Sequence, residues 1–442
     1  MFRQDIFIFE FVSGGGFSHD EIPSSLFCEG YAMLRTIIED FKNLGFHITT
    51  LLDSRIEFLS HYMKADVIKS VLLEEDYLKK FIDCVRDSNY CFVIAPEFSN
   101  ILYNLTKIVK KNKKNLLSID LNGVKLGASK LETYKFFLAN KMSAPKLYKI
   151  PFKGRILDLD FILQKLDQLN CSIVIKPDDG VGSELIFYFE KKDEILHFFE
   201  SSNKVLDTNR KFILQKYIEG DPMSVSIIND QLLKKTIENN PKILSINAQN
   251  LQITDPNKDS VYLGGFTPVD QFEQLKTQIE DILKCVDLSA FKGYFGIDFV
   301  KKADNSLSFI EINPRLTTSY VGIRNILEFN PMELLLNQFN QKKKVLKNYK
   351  FIPRKFSEFT QIKLKYDGEY TSGEINNLVL PKLINLIPEI ITPPIIMEAV
   401  SKNQEAFYSC FIATKSNDIQ SSKYRKSQIN QIFSTFDFRI TK

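Results

Sequence analysis

The chain has few of the residues that most often carry chemistry unaided. Six cysteines (Cys28, Cys84, Cys91, Cys171, Cys285, Cys410) are scattered through 442 residues, with no Cys-x-x-Cys and no metal-ligand spacing. That excludes a disulfide framework and a cysteine-based zinc site, and it suggests reduced thiols in a cytoplasmic setting. None of the four histidines (His19, His47, His61, His197) sits in a suggestive motif. No Gly-Lys-Ser/Thr opens a helix, so the Walker type of phosphate site is excluded. No stretch approaches ~20 uncharged apolar residues, so no membrane span is expected. The nearest candidate, Leu378 to Ile396, contains Lys382, Glu389 and four prolines. The run from Ile6 to Val12 is too short for a signal-peptide core and is interrupted by Glu10. Charge of one sign is missing too. With 58 basic against 54 acidic residues, the net +4 argues for no polyanionic partner. Lys110 to Lys114 and Lys342 to Lys344 read as helix ends or linkers, because no nucleic-acid motif accompanies them.

What is present is an ordinary globular composition, 44% hydrophobic and 25% charged, in a length that suggests about three domains at ~150 residues each. The first part alternates strands (Ile6–Val12, Ile48–Leu52, Tyr90–Ala95) with helices (Leu26–Leu44, Glu74–Val85, Phe98–Lys110), which predicts a small parallel sheet covered by helices. Ser129-Lys-Leu-Glu132 reads as a capping box opening a helix over 130–140. From Pro145 the texture changes to paired strands. Ser172–Lys176 pairs with Glu184–Phe189, Phe212–Lys216 and Ser224–Ile228 belong to another pair, and Leu232–Ile237 continues the meander. A helix over Gln271–Cys285 precedes an acidic hairpin, and another follows Pro331. The last hundred residues carry no internal repeat and no motif.

Three segments carry chemistry. In Gly293-Tyr-Phe-Gly-Ile-Asp298 and Phe309-Ile-Glu311-Ile-Asn313-Pro-Arg315, the two acids lie 13 residues apart around a turn at Lys301–Ser306. Antiparallel pairing would gather Asp298, Glu311 and Asn313 into one oxygen-rich corner suited to a hard cation such as Mg²⁺, with Arg315 as a fixed positive charge beside it. A solvated hairpin edge is the plainer alternative, which Glu-x-Asn-Pro-Arg disfavours by putting carboxylate and amide on one strand face. Second, Ile173-Val-Ile-Lys176-Pro-Asp-Asp-Gly180-Val-Gly182-Ser183 places a lysine at the end of a buried strand before a glycine turn. Its backbone N–H groups and the Ser183 hydroxyl could approach phosphate oxygens. Taken alone, a hairpin turn with a snorkelling lysine explains it as well. Third, Phe212-Ile-Leu-Gln215-Lys216-Tyr-Ile218-Glu-Gly220 runs from strand into turn, where the Gln215 side chain or the Lys216 carbonyl could read an adenine edge.

The order of these segments resembles the ATP-grasp superfamily. The resemblance implies an α/β and α+β chain of ATP-grasp fold: an N-terminal α/β pre-grasp domain over residues 1–118, then an ATP-grasp domain over 119–340 whose two α+β subdomains sandwich ATP. The small lid subdomain would span about 145–218 and the metal-bearing one about 219–340, leaving 341–442 as an extension of unknown role. It further implies Lys130 and Lys176 as phosphate contacts, Gly180, Gly182 and Ser183 as the lid, and Gln215, Lys216 and Ile218 at the adenine. Asp298, Glu311 and Asn313 become Mg²⁺ ligands, with Mn²⁺ as the alternative ion, and Arg315 orients the acceptor carboxylate. The usual ribose-binding acid is missing near Pro222, where Asp221 is the nearest substitute. Phe9-Glu10 to Gly16, Glu29-Gly30-Tyr-Ala-Met33, Asp53-Ser-Arg55, Ile94-Ala-Pro96-Glu97, Ser245-Ile-Asn247-Ala-Gln249 and Leu263-Gly264-Gly265 look like the tyramine–glutamate ligase group of methanofuran biosynthesis. The implied activity joins a small-molecule carboxylate to an amine through an acylphosphate, without nucleic acid or membrane, and is compatible with a homodimer. Another ATP-grasp amino-acid or peptide ligase, or a non-catalytic ATP-binding regulatory protein, are the alternatives.

Overall fold

The computed structural model describes residues 4–180, 185–201, 210–229, 241–252, 260–336, 351–399 and 406–441. The chain opens with five parallel strands, β1 (Asp5–Glu10), β2 (His47–Asp53), β3 (Val67–Val71), β4 (Tyr90–Ile94) and β5 (Asn115–Leu116), in the order β3-β2-β1-β4-β5. Ile6, Phe7, Ile8 and Phe9 are all fully buried, the unbroken apolar run that a strand covered on both faces requires. Helices α1 (Ser24–Asn43), α2 (Tyr77–Asp87) and α3 (Ile101–Lys111) supply the cover. The helix expected from Glu74 starts at Tyr77, because the Asp76 carboxylate accepts the Leu78 N–H at 2.9 Å and caps it there. Edge strand β3 was not anticipated. Its sequence, Val-Ile-Lys-Ser-Val, is only half buried and lacks a clean alternation.

Helices α4 (Leu121–Gly127) and α5 (Lys130–Ala139) lead to a second, four-stranded antiparallel sheet. It consists of β6 (Leu147–Ile150), then, beyond a small hairpin of β7 (Phe152–Lys153) and β8 (Ile156–Leu157), β9 (Ile173–Pro177), β10 (Phe187–Phe189) and β11 (Phe212–Lys216), ordered β10-β9-β11-β6. It owns a separate core in which Ile173, Ile175, Phe187, Phe189, Phe212 and Leu214 meet Ile162 and Leu166 of covering helix α6 (Leu159–Leu169), and α7 (Lys192–Ser201) follows β10. The capping box at α5 is half made. Ser129 Oγ accepts the Glu132 N–H at 3.2 Å, but the Glu132 carboxylate pairs with Lys135 at 2.7 Å instead of returning to the cap.

The third sheet has nine strands: β12 (Asp221–Asn229), β13 (Lys242–Gln252), β14 (Val261–Thr267), β15 (Gly293–Lys301), β16 (Leu307–Asn313), β17 (Ser357–Tyr366), β18 (Ile390–Ala399), β19 (Ala406–Ala413) and β20 (Phe438–Thr441). The order runs β16-β15-β12-β13-β14-β17-β19-β18, with β20 also on β17. Phe212–Lys216 and Ser224–Ile228 therefore do not pair, contrary to expectation. β11 lies between β9 and β6, whereas β12 lies between β13 and β15. Gly220 makes the crossing between sheets, with φ +149° and a position where a Cβ would fall 2.4 Å from the Lys301 carbonyl oxygen. The strand expected at Leu232–Ile237, and part of the helix after Pro331, lie outside the described residues. The segment after 350, which carried no readable motif, continues this sheet through β17 against β14. Among the described residues no helix is long and apolar enough to cross a membrane.

One buried polar knot joins the first sheet's cover to the third sheet. The Asp40 carboxylate, on α1, accepts bonds from Arg324 Nη2 at 2.7 Å, Arg324 Nε at 3.0 Å and the Tyr320 hydroxyl at 2.6 Å, both partners lying on helix α9 over Tyr320–Ile326 once α8 (Phe272–Leu283) has passed. Without Asp40, Arg324 keeps only Glu39, at 3.0 Å, and the buried Tyr320 hydroxyl loses its acceptor. Asp40→Ala should cost about 2–3 kcal/mol of unfolding free energy in a denaturant titration; a loss below about 1 kcal/mol would show that the knot is solvated.

Candidate active site

The acidic hairpin forms as its alternation and turn residues dictate. Strands β15 and β16 pair with Asp298 directly opposite Glu311, and a register shift follows at Phe299. The turn closes by Lys302 N–H donating to the Ser306 carbonyl at 3.0 Å, with Asn305 at φ +63° and the Asp304 carboxylate accepting the Ser306 N–H at 2.9 Å. Asn313 Nδ2 donates to Asp298 Oδ2 at 2.9 Å, and Gln249 Nε2 on β13 donates to Oδ1 at 3.1 Å. Asp298, Glu311 and Asn313 are thus brought into one corner.

Two lysines from other segments close on it. Lys130 opens α5 and Lys176 lies in β9. Lys130 Nζ is 3.3 Å from Glu311 Oε2 and donates to the Gly180 carbonyl at 2.7 Å; Lys176 Nζ is 3.9 Å from the same Oε2. The approach of α4 and α5 depends on Gly127, where a Cβ would lie 2.8 Å from Pro314 Cδ. Asp178, the residue that follows β9 and Pro177, locks the two segments together. Its carboxylate accepts Ser129 Oγ and the Leu131 N–H, each at 2.8 Å, and its carbonyl accepts the Lys130 N–H at 3.0 Å.

The electrostatics follow from this crowding. Burial, then repulsion from Glu311, pushes the Asp298 carboxyl up to about 7. Burial would raise Glu311 as well, but the ammonium groups of Lys130 and Lys176 bring it below the usual carboxylate range. Desolvation draws Lys176 down to about 8 although Glu311 opposes it. Glu311 Oε2 is buried and receives no hydrogen bond. Among the described residues no group of three or more His, Cys, Asp or Glu could hold a metal.

These groups line a cavity of about 490 Å³ between the second and third sheets, together with Gly180, Gln215, Lys216, Ile218 and Arg315. Gln215 is buried in β11. Gly182 and Ser183 lie outside the described residues. Asp221 is exposed at the start of β12 and does not line the cavity, although its neighbours Gly220 and Pro222 do.

Comparison with known proteins agrees with this architecture. The ATP-grasp domain family matches residues 127–319, and the pre ATP-grasp 3 domain matches residues 46–122. The chain carries an ATP-grasp domain and a pre-ATP-grasp domain. The tyramine–L-glutamate ligase of Methanocaldococcus fervens is 27% identical over 350 residues, 77% of this chain and 96% of that one. The crystal structure of an L-amino acid ligase from Bacillus licheniformis superposes with a TM-score of 0.61 at 13% identity, covering 99% of this chain and 98% of that one. A biotin carboxylase domain of the Hydrogenobacter thermophilus 2-oxoglutarate carboxylase, in complex with MgADP, gives a TM-score of 0.64 at 12% identity, covering 99% and 91%. The ATP-grasp fold with a pre-grasp domain is therefore the architecture, and the chain is an ATP-dependent ligase of the C–N bond-forming class.

At the ATP-grasp cavity, Arg315 Nε reaches Glu97 Oε1 at 3.0 Å, which ties the end of the hairpin to the pre-grasp domain. Burial works against the guanidinium's charge, but Glu97 outweighs it and raises its affinity for the proton. Glu29, Gln249, Tyr262 and Thr318 also line the cavity, and no reading of the residues by themselves placed them there. Gln249 and Glu29 sat in segments quoted for the ligase resemblance, the one available signal. Because Asp178 holds both lysine-bearing segments, Asp178→Ala should lower stability by ~1–2 kcal/mol and weaken ADP binding several-fold in a calorimetric titration. Unchanged ADP affinity would show that Lys130 needs no such mounting.

Proposed function

We propose that the chain condenses a carboxylate with an amine at the expense of ATP, passing through an acylphosphate and releasing ADP and phosphate. The observation that carries this reading is the convergence of Lys130 and Lys176 on Glu311 at a cavity of about 490 Å³. Two ammonium groups over one carboxylate are arranged for a polyanion. The phosphates of ATP take the lysines, with Gly180 beside Lys130. Gln215, Lys216 and Ile218 face the adenine. Asp221 is kept as the ribose contact only if the sugar reaches the rim.

The donor set of Asp298, Glu311 and Asn313 fits Mg²⁺ better than a softer ion, being two carboxylates and an amide without nitrogen or sulfur ligands. With only two acids at the corner, phosphate oxygens and water must complete the shell. Mn²⁺ fits the same donors. When bound, such an ion neutralises charge on the phosphates. Arg315, held by Glu97, then orients the acceptor carboxylate toward the γ-phosphorus so that attack proceeds in line, and positioning with fixed charge does most of the work.

L-Glutamate, through its γ-carboxylate, and tyramine are the substrates this reading favours, on the name of the Methanocaldococcus fervens relative. The setting is cytoplasmic, on sparse unpaired cysteines. ADP release should require both compounds when each is offered alone and together, against a panel of other amines and amino acids. Activity confined to other pairs would remove the substrate assignment and leave the ligase class standing. Lys176→Ala and Glu311→Ala should each lower amine-dependent ADP release by ~10²–10³-fold with an unchanged far-UV spectrum, the loss typical of removing one group that meets developing charge. Undiminished turnover in either variant would refute the site.

A further inference from the structure

Of the cavity's described lining residues, one alone comes from the first 118 positions: Glu29, on helix α1. Its Oε2 accepts the Thr318 hydroxyl at 2.6 Å. Its Oε1 receives no hydrogen bond from a described residue, and no lysine, arginine or histidine among them lies within 4.0 Å of the carboxylate. The cation nearest in the cavity, Arg315, is engaged by Glu97 at 3.0 Å. The cavity thus has a cationic end at Lys130 and Lys176, an arginine between, and at Glu29 a carboxylate with an open oxygen.

A group meant to hold phosphates or a carboxylate would not be an acid. Nor is Glu29 part of the metal corner, which lies on β15 and β16. What a half-buried carboxylate held by one hydroxyl recognises is a cation with N–H donors. The wall beside it includes Tyr262. We propose that Glu29 binds the amine substrate as its ammonium ion and takes the proton that must leave before the nitrogen can attack. This rests on the ligase reading above and names the residue that serves its second half-reaction.

The step balances as follows. The ammonium R–NH₃⁺ gives one proton to the Glu29 carboxylate, leaving the neutral amine and a carboxylic acid. The nitrogen lone pair forms the C–N bond at the acyl carbon. The C–O bond to phosphorus breaks, its electron pair leaving with the phosphate, which takes the second nitrogen proton. Thr318, in the loop after β16, holds the carboxylate by one oxygen and leaves the other to the ammonium.

The proton affinity of Glu29 suits this role. Burial raises the carboxyl to about 7, against the opposing effects of the Thr318 hydrogen bond and the Arg315 charge. A base poised near the working pH is the efficient one. The other titratable groups facing it are Tyr262 on β14, pushed well above its ordinary value chiefly by burial, and Cys28 on its own helix, pushed up to about 12 for the same reason. Both stay neutral where Glu29 titrates.

Glu29→Gln keeps the shape and an oxygen for Thr318 but cannot accept the proton. The test compares two nucleophiles with L-glutamate and ATP: tyramine, an ammonium ion at neutral pH, and hydroxylamine, which is largely unprotonated there. The variant should lose ~10²-fold or more of tyramide formation at pH 7 while hydroxamate formation stays within about threefold of the parent. Its tyramide rate should climb with pH toward the amine's own pKa, whereas the parent's should level off above about 7. Retained tyramide formation at pH 7 would overturn the assignment. So would equal loss of both products, which would make Glu29 a structural residue. If the parent forms neither product from L-glutamate or from any carboxylate of the wider panel, the ligase reading itself fails and this inference with it.

Discussion

Glu311 lies beneath two ammonium groups, and neither lysine's position is tolerable without it. A lysine buried as Lys176 is, in a strand with apolar neighbours on both sides, loses much of its hydration and holds its proton less tightly. Lys130 repels it. The carboxylate at 3.3 and 3.9 Å offsets both effects, and it does so across three segments that share no local sequence: the start of α5, the end of β9 and the middle of β16. Phosphates set beside those lysines, as the carboxylate is, meet them with the same sign of interaction. The arrangement is therefore preorganised for its polyanion, with little rearrangement of charge left to perform.

The N-terminal sheet's cover reaches the cavity through helix α1. Its far end is held by Asp40 on Arg324 and Tyr320, and its middle by Arg35 Nη1, which donates to the Ile391 carbonyl at 2.7 Å. Next to Glu29, the Cys28 carbonyl accepts the Thr392 hydroxyl at 2.7 Å. Residues of β18 thus mount the helix that carries the cavity's one pre-grasp side chain. The segment from 351 onward is a buttress for that helix as well as an extension of the sheet.

The acidic corner was legible because it is local. Alternation with a period of two and one turn decide which side chains share a face, and Asp298 opposite Glu311 follows from the hairpin alone. Lys176 was legible because a charged residue ending an apolar strand is conspicuous. Glu29, Tyr262 and Thr318 were not, since nothing in their neighbourhoods distinguishes them from helix, strand and loop residues of ordinary surfaces. The misassignment of β11 and β12 to one pair has a similar origin: both are apolar runs of strand length, and only the geometry at Gly220 separates their sheets. β18 was unreadable for another reason. Pro393 and Pro394 argue against a strand, yet β18 is the sheet's edge, paired only with β19 and irregular around Thr392 to Ile395, where prolines remove no ladder bond that matters.

Strand order also has a bearing on synthesis. A chain leaves the ribosome from its first residue, and domains generally fold as they emerge. The five-stranded sheet can form early, and the nucleotide cleft once β16 is out. The helix bearing Glu29, made among the first residues, finds Thr392 only when nearly the whole polypeptide exists. The cluster of Lys130, Lys176 and Glu311 is thus complete in the nascent chain before the β18 contact that finishes the mounting of Glu29's helix.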